Sequence, residues 1–588
     1  MSIRVGEVIA VHGVRVTLKI DEDSSKDSLY FKGEKYKGVS IREYIAIQRG
    51  FRDIVCVVEG EYLDENRVEG AGLKVTYIRK VDARPVGYFE GSEFRHGIKY
   101  LPMIRDSAFL LQEKMIASIY GRDSAAGLVI GRTLKEDVPI GLPWKRLFNS
   151  HIGIFGNTGS GKSNTLAKLY TVLFDRKAAV ITTKSKFVVL DFNGEYTGQQ
   201  LVGAGLKTIY RLTTQNAQGE KFPLHNDEFW SAETLSLLFQ ATPNTQKPFL
   251  IRLVDGRKVF EGSPDALTNY AKATFRRAFS AARPRAEALD LLRAVAGVLG
   301  RADLRDLLKD VSWHSSQERF IRRNDNTYFD ADGVQYDDKI APTVETLDLA
   351  GLDAFQQLII RAYLQLIREL VQGFVQFDHI QPLLKRMESS LTSLRKVLSV
   401  GGINPQDRLV TIVSLKRCNN ETKKVLPLLI AKHYYNHHKD SVGYPPNKTT
   451  HLVIDEAHNI LSQQSVREHE SWRDYRLELF EEIIKEGRKF GVFITIASQR
   501  PADISPTIVS QLHNFFIHRL VNDRDLSLID NTITTLDALS RSLIPNLAQG
   551  CCVVTGTSFD LPMVLQIDPL DKPKQPDSED VNLEVLWS

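Results

Sequence analysis

"HIGIFGNTGSGKSNTLAKLY", from His151 to Tyr170, decides the fold. A short apolar run, Ile152 to Phe155, enters a glycine-rich turn that closes on Lys162 and Ser163, and an alanine- and leucine-bearing segment follows. The eight residues Gly156, Asn157, Thr158, Gly159, Ser160, Gly161, Lys162 and Ser163 fit G-x-x-x-x-G-K-[ST]. Phosphate oxygens need several backbone N–H groups at close range, and glycines let a loop fold that tightly around them. The start of the following helix adds to the same anion site. In that setting Lys162 reaches the β- and γ-phosphates and the Ser163 hydroxyl binds Mg²⁺. A strand before the loop and a helix after it argue against a chance glycine turn. The stretch therefore predicts a site for ATP and Mg²⁺.

Working outward, "HLVIDEAHNI" supplies the second half of such a site. His451 to Ile454 reads as a strand, with Asp455 and Glu456 at its end. Asp455 is assigned to Mg²⁺ and Glu456 to the polarisation of an attacking water. Asp191 and Glu195 in "LDFNGEY" also end a strand, on the edge where parallel sheets bind ligands. They either join the metal and the water or cap a strand-to-loop turn. Gln499, after the strand "VFITIAS", is placed to sense the γ-phosphate.

The pattern along the chain predicts an α/β core, interrupted. Residues 1–100 hold short β-branched runs with glycine turns and read as a small β-barrel. Residues 101–150 read as a linker to the core. Strand, loop and helix alternate over 151–224 and again over 405–570, the form of a parallel sheet. Between them, 225–404 carries long stretches with apolar positions at three and four, a helical insertion. "DNTYFDADG" within it lacks the spacing and terminal Glu of a calcium loop and reads as a solvated turn. Residues 571–588 begin polar and proline-bearing and read as a tail, with Leu583, Val585, Leu586 and Trp587 able to dock.

Composition narrows the class. The 588 residues are 43% hydrophobic and 25% charged, an ordinary balance. A net charge of +4 on this length neither requires nor excludes nucleic acid, because a basic channel hides easily in a balanced total. Cys56, Cys418, Cys551 and Cys552 lack metal-ligand spacing, which points to a reducing, cytoplasmic compartment. No stretch reaches the roughly 20 apolar residues of a membrane span. His433, His437 and His438 in "AKHYYNHHKD" lie on a polar helical stretch before a loop and are read as structural, not as metal ligands.

Five motifs in order, "GNTGSGKSN", "VLDFNGEY", "LVIDEAHNI", "EGRKFGVFITIASQRPADISPTIVSQ" and "FFIHRLVN", resemble the HerA-type ATPases of the HerA/FtsK superfamily. The resemblance covers roughly 1–220 and 405–570 and implies a RecA-like P-loop core behind an N-terminal barrel of the HAS-barrel kind. It adds Asn164 to the nucleotide-binding residues. It implies a homohexamer that moves double-stranded DNA through a central pore, with ATP between subunits. It implies a partner as well: a NurA-like or other nuclease, or a Sir2-like NADase effector in antiviral defence. Arg488 matches the position of an arginine acting on the neighbouring subunit's ATP, with Arg500 and Arg519 as alternatives and a surface helix end as the plain reading. Where the family often carries a basic residue just before the first strand, this chain has Ser150. Arg467 and Arg473 are candidates for DNA contact. An ATP-gated scaffold that assembles an effector with little translocation is the competing function.

Overall fold

The apolar runs around the phosphate loop are apolar on both faces, as strands covered on both sides must be. In the computed structural model of the protein they lie side by side. The structure describes residues 3–22, 28–31, 34–68, 74–120, 127–135, 137–259, 263–402, 408–464, 470–577 and 586–587. The core is an 11-stranded sheet in the order Pro139–Leu142, Leu128–Thr133, Met563–Ile567, Cys551–Gly556, Asn514–Ile517, Ile152–Phe155, Val492–Ser498, Thr449–Ile454, Ser185–Asp191, Val410–Arg417 and Lys207–Thr213. From Asn514–Ile517 to Lys207–Thr213 every pairing is parallel. The other flank is antiparallel.

Register places the site. Phe155 lies opposite Ser498, and Leu190 opposite Ile454. The phosphate loop, the turn after Asp191, the acids after Ile454 and the segment after Ser498 therefore leave the sheet at one edge. Ile152, Ile154, Phe187 and Val189 pack with Leu166, Leu169, Tyr170 and Phe174 of the helix Lys162–Ile181. Alternate residues Phe155, Val188, Leu190, Leu452 and Ile454 face the opposite layer. Tyr170 is buried with its hydroxyl 2.7 Å from Thr495 Oγ1, so the phenol is satisfied inside the core.

The N-terminal sheet runs in the order Arg15–Ile20, Arg4–His12, Ser107–Leu110, Tyr44–Arg49, Arg52–Val68, Lys74–Glu90, Glu93–His96. Arg15–Ile20 also pairs with Lys74–Glu90, Val16 opposite Ala83, which closes the barrel. Val16, Leu18, Ile45, Ile47 and Val81 fill it.

Residues 101–150 are not the linker the sequence suggested. Ser107–Leu110 is a barrel strand, and Leu128–Thr133 and Pro139–Leu142 widen the core sheet. These strands are four to six residues long and mix glycine, proline and polar positions, too short to show a period of their own.

The chain leaves the sheet after Lys207–Thr213, and the strands Phe222–Leu224 and Leu398–Val400 pair in parallel at the root of the excursion. The helix Ala354–Gln372 is central to it. Asp353 accepts from the N–H groups of Phe355 and Gln356, the Gln356 side chain answers in a capping box, and Gly373 (φ +76°) ends the helix. It packs against Ala266–Phe279, Ala286–Leu299 and Phe377–Val397. The insertion also holds a three-stranded sheet, Val311–His314, Arg319–Arg322 and Thr327–Tyr328, which the helical periodicity did not announce. Within the segment read as a tail, Asp577 N donates to Glu195 O at 2.9 Å and Lys574 pairs with Asp175 at 3.1 Å, so residues up to 577 dock on the core. Leu583 and Val585 lie outside the described residues, as does Arg467. No helix among the described residues is long and apolar enough to cross a membrane.

Candidate nucleotide-binding site

The loop Gly156 to Gly161 joins Ile152–Phe155 to the helix Lys162–Ile181. Gly159 and Gly161 have φ of +74° and +102°, in the region that favours glycine. A Cβ on Gly161 would lie 2.9 Å from Gly550 Cα, and one on Gly156 2.5 Å from His518 Cβ. The loop is thus pressed against two neighbouring segments. Ser160 O accepts from Gly550 N at 2.9 Å, and Asn157 N donates to Arg519 O at 2.9 Å. His518, unremarked in the sequence, lies beneath the loop with Nε2 2.9 Å from Thr165 Oγ1.

Lys162 turns inward. Its Nζ donates to Glu456 Oε1 at 3.0 Å and lies 3.9 Å from Asp455 Oδ1, with only 6% of the side chain exposed. Burial works to lower its pKa, but the attraction of Asp455, then Glu456, outweighs it and the net shift is upward. Asp455 is fully buried and its carboxyl is pushed up, chiefly by desolvation, against the pull of Lys162. Glu456 goes the other way. Burial opposes its charge, yet the His458 contact and Lys162 hold it at about 2. His458 Nδ1 lies 3.2 Å from Glu456 Oε2. Glu456 also has φ +49°, a left-handed conformation that costs a non-glycine residue of the order of 1 kcal/mol or more.

The two acids that the sequence could not sort are sorted here. Asp191 accepts from the backbone N–H groups of Gly194, Glu195 and Tyr196 at 2.7, 3.0 and 3.1 Å, so it caps its own turn. That turn delivers Glu195 to the site. The Glu195 carboxyl is raised by burial, and hydrogen bonds from Asn193 and Ser163 and the charge of Lys162 work against the rise. Ser163, Lys162, Glu195, Asp455 and Glu456 thus form one cluster. Gln499 joins it from the next strand, accepting a hydrogen bond from Thr158 Oγ1. Oxygen donors only, Ser163 Oγ and carboxylates, with Asp455 Oδ2 buried and lacking a hydrogen-bond partner, suit a hard cation such as Mg²⁺.

Arg488 is not brought to this cluster. It lies in the last turn of the helix Glu470–Phe490, before Val492–Ser498 begins, and its charge acts on His151 and His513 at the opposite edge of the sheet. Arg500 and Arg519 sit at the phosphate edge, both exposed. Arg473 pairs with its neighbour Asp474 on an exposed helix face.

A phosphate-shaped glycine loop, a buried lysine and strand-end carboxylates on a parallel sheet define a RecA-like P-loop ATPase, an ATP-hydrolysing enzyme. The family profile "Helicase HerA, central domain" matches residues 128–364. The DNA double-strand break repair helicase HerA of Pyrococcus furiosus is 22% identical over 544 residues, 89% of this chain and 82% of that protein. A probable DNA double-strand break repair helicase HerA of Methanocaldococcus jannaschii is 21% identical over 92% of this chain and 93% of its own length. Among solved structures, VirB4 of Thermoanaerobacter pseudethanolicus aligns with 77% of this chain and 100% of its own, at 13% identity and a TM-score of 0.40. The chain is thus similar to HerA helicases, over 128–364 by the family profile and along most of its length by the two relatives.

Proposed function

We propose that the protein is an ATP- and Mg²⁺-dependent motor that moves along double-stranded DNA as a ring of six copies. The observation that carries this reading is the Lys162–Glu456 ion pair inside a complete phosphate site. The lysine that serves the β- and γ-phosphates is held by the carboxylate that serves the water. Binding ATP therefore has to separate them, which couples occupancy of the loop to the turn at Glu456 and to Gln499 through Thr158. Such coupling is what a motor needs. Similarity along most of the chain to proteins named as DNA repair helicases supports DNA as the track.

In this reading the backbone N–H groups of the loop and Lys162 hold the triphosphate. Ser163 and Asp455 hold Mg²⁺, which supplies charge neutralisation on the transferring phosphoryl group. Glu456, kept ionised by His458 and Lys162, accepts a proton from the attacking water or orients it. Glu195 lies beside Ser163 and is a second acceptor. Gln499 reads the γ-phosphate. Arg488, remote from its own loop, acts on the neighbour's. The barrel, outside every nucleotide motif, docks the partner, an effector nuclease or NADase, in DNA end processing or antiviral defence.

The test is ATPase activity with and without linear duplex, together with displacement of a triplex-forming strand from that duplex. ATP-dependent displacement with duplex-stimulated turnover is expected. Turnover that ignores duplex, with no displacement, would instead favour the ATP-gated scaffold.

A further inference from the structure

Away from the nucleotide edge, Glu228, His433 and His437 each bring a donor atom to within 4.8 Å of the others. The two histidines are four residues apart on the helix Asn420–Ser441 and so share a face. Their ring centroids are 4.7 Å apart. Glu228 comes from Asn226–Phe229, the first helix of the insertion, and its Oε2 lies 2.7 Å from His433 Nδ1. His225, the N-cap of that helix, stands behind with its ring 5.4 Å from that of His437. His438, adjacent in sequence, points elsewhere. It is fixed by Phe490 O at 2.8 Å and Thr450 Oγ1 at 2.9 Å. The three histidines read from sequence as one group are therefore two sets with different surroundings.

We propose that Glu228, His433 and His437 bind a divalent ion of the zinc class. The His433–Glu228 hydrogen bond accounts for two of these residues as a partly buried polar pair. It leaves the exposed His437 over, one helical turn away and aimed at the same point. Two imidazole nitrogens and one carboxylate oxygen are the donor set that suits Zn²⁺ and ions like it, not Mg²⁺ or Ca²⁺. Zinc bonds of about 2.0–2.1 Å require donors roughly 3.3 Å apart. Binding thus widens the His433–Glu228 separation slightly, draws His437 inward and requires His433 Nδ1 to be free of its proton, the ring keeping its N–H at Nε2.

The fourth position opens on a cleft of about 380 Å³ that Lys184, Arg408 and Lys448 also line, surroundings that favour water or an anion there. Since Glu228 belongs to the insertion and both histidines to a helix of the core, the ion staples the root of the insertion to the ATPase. The mechanism proposed above makes no use of it.

The experiment uses the full-length, untagged protein, stripped with a chelator and titrated with Zn²⁺ alone in the absence of nucleotide. Ions per chain are counted by mass spectrometry after gel filtration, and Co²⁺ alone serves as a spectroscopic probe of imidazole ligation. One tightly held ion per chain is expected, with a rise in melting temperature. His437→Ala and Glu228→Gln should each weaken binding at least tenfold and remove the thermal shift. Both substitutions spare the His433 side chain, and the glutamine keeps an acceptor for it, so folding is preserved. Asp455→Asn, at the nucleotide site, should leave Zn²⁺ binding unchanged. Wild-type protein that holds no Zn²⁺ at micromolar concentration, or that holds it no more tightly than both variants, overturns the proposal.

Discussion

The same strands end in opposite chemistry. Ile152–Phe155 starts beside His151 and runs into the phosphate loop. Thr449–Ile454 carries His451 and runs into Asp455 and Glu456. At the starting edge the buried ionisable groups are neutral imidazoles. His151 accepts from Ile494 N at 3.0 Å through Nδ1 and donates from Nε2 to Ile484 O at 2.9 Å, so both nitrogens are spent on backbone. His451 stacks on Phe187 with centroids 4.5 Å apart. At the finishing edge, beside the buried His518, carboxylates gather around one lysine, with a left-handed Glu456 among them. A neutral ring with both nitrogens bonded is a rivet that holds the sheet. Opposed charges that a ligand can separate are a site. Burial is alike at His151 and at the carboxylates, and what differs is whether the polar atoms are already satisfied: both nitrogens of His151 are bonded, while Asp455 Oδ2 and Glu195 Oε2 have no partner.

The comparison is broken most directly at Lys162. Lys162→Ala leaves three carboxylates without their cation and the β- and γ-phosphates without a fixed positive charge. Steady-state ATP hydrolysis should fall to background. Turnover near wild type would mean that the carboxylate edge is structural after all.

Arg488 would join the two edges. It sits at the histidine edge of its own chain, yet in a ring that edge can meet a neighbour's phosphate loop. Arginines acting across subunits in related chemistry contribute about 10³–10⁵ in rate, so Arg488→Ala should bind ATP and nearly lose turnover. Mixing Arg488→Ala with Lys162→Ala chains should restore part of the activity, because some interfaces then pair an intact loop with an intact arginine. If confirmed mixed rings stay dead, a titration of Arg488→Ala into wild type decides the matter: steep loss marks a concerted ring, whereas proportional loss marks independent sites and then opposes a role across the interface.

Glu456→Gln sharpens the division of labour within the carboxylate edge. The amide keeps shape and the contact with Lys162 and loses the basic oxygen, so ATP binding should persist while turnover drops by about 10²–10⁴. Fluorescent-nucleotide binding and single-turnover hydrolysis measure the two separately. Normal hydrolysis would move the base to Glu195.

These expectations were legible to different degrees. The loop and the strand-end acids could be read because glycine geometry and a short apolar strand are local demands on sequence. Asp191 and Glu195 share one turn and one charge, and only the three N–H groups converging on Asp191 separate the cap from the carboxylate that faces Ser163 and Lys162. His458 left a signal, two residues past Glu456, that motif reading passed over. The strands in 101–150 were hidden by their length, since four to six residues carry no readable period. Glu228 and His433 stand 205 residues apart, and nothing in either segment names the other.

The smallest expected effect lies at the histidine edge, and it concerns pH. Burial, then the charge of His513, lowers the His151 pKa to about 4, against 6.5 for the free side chain. Between those values the unfolded chain binds the proton that the folded chain refuses. Stability from this group is therefore intact above pH 6.5 and is lost as pH falls from 6.5 toward 4, by about 1.4 kcal/mol per pH unit at most. His151→Gln keeps a donor and an acceptor in the same place and cannot titrate. It should be less stable than wild type at pH 7.5, because an amide does not match the ring's two bonds. Its melting temperature should nevertheless decline less steeply between pH 6.5 and 4.5, so the two curves converge on acidification. Differential scanning calorimetry on both proteins across that window makes the comparison. Parallel curves would mean that His151 is charged or solvated in the fold, and the contrast between a neutral edge and an ionised one would fail at the strand where it is drawn most sharply.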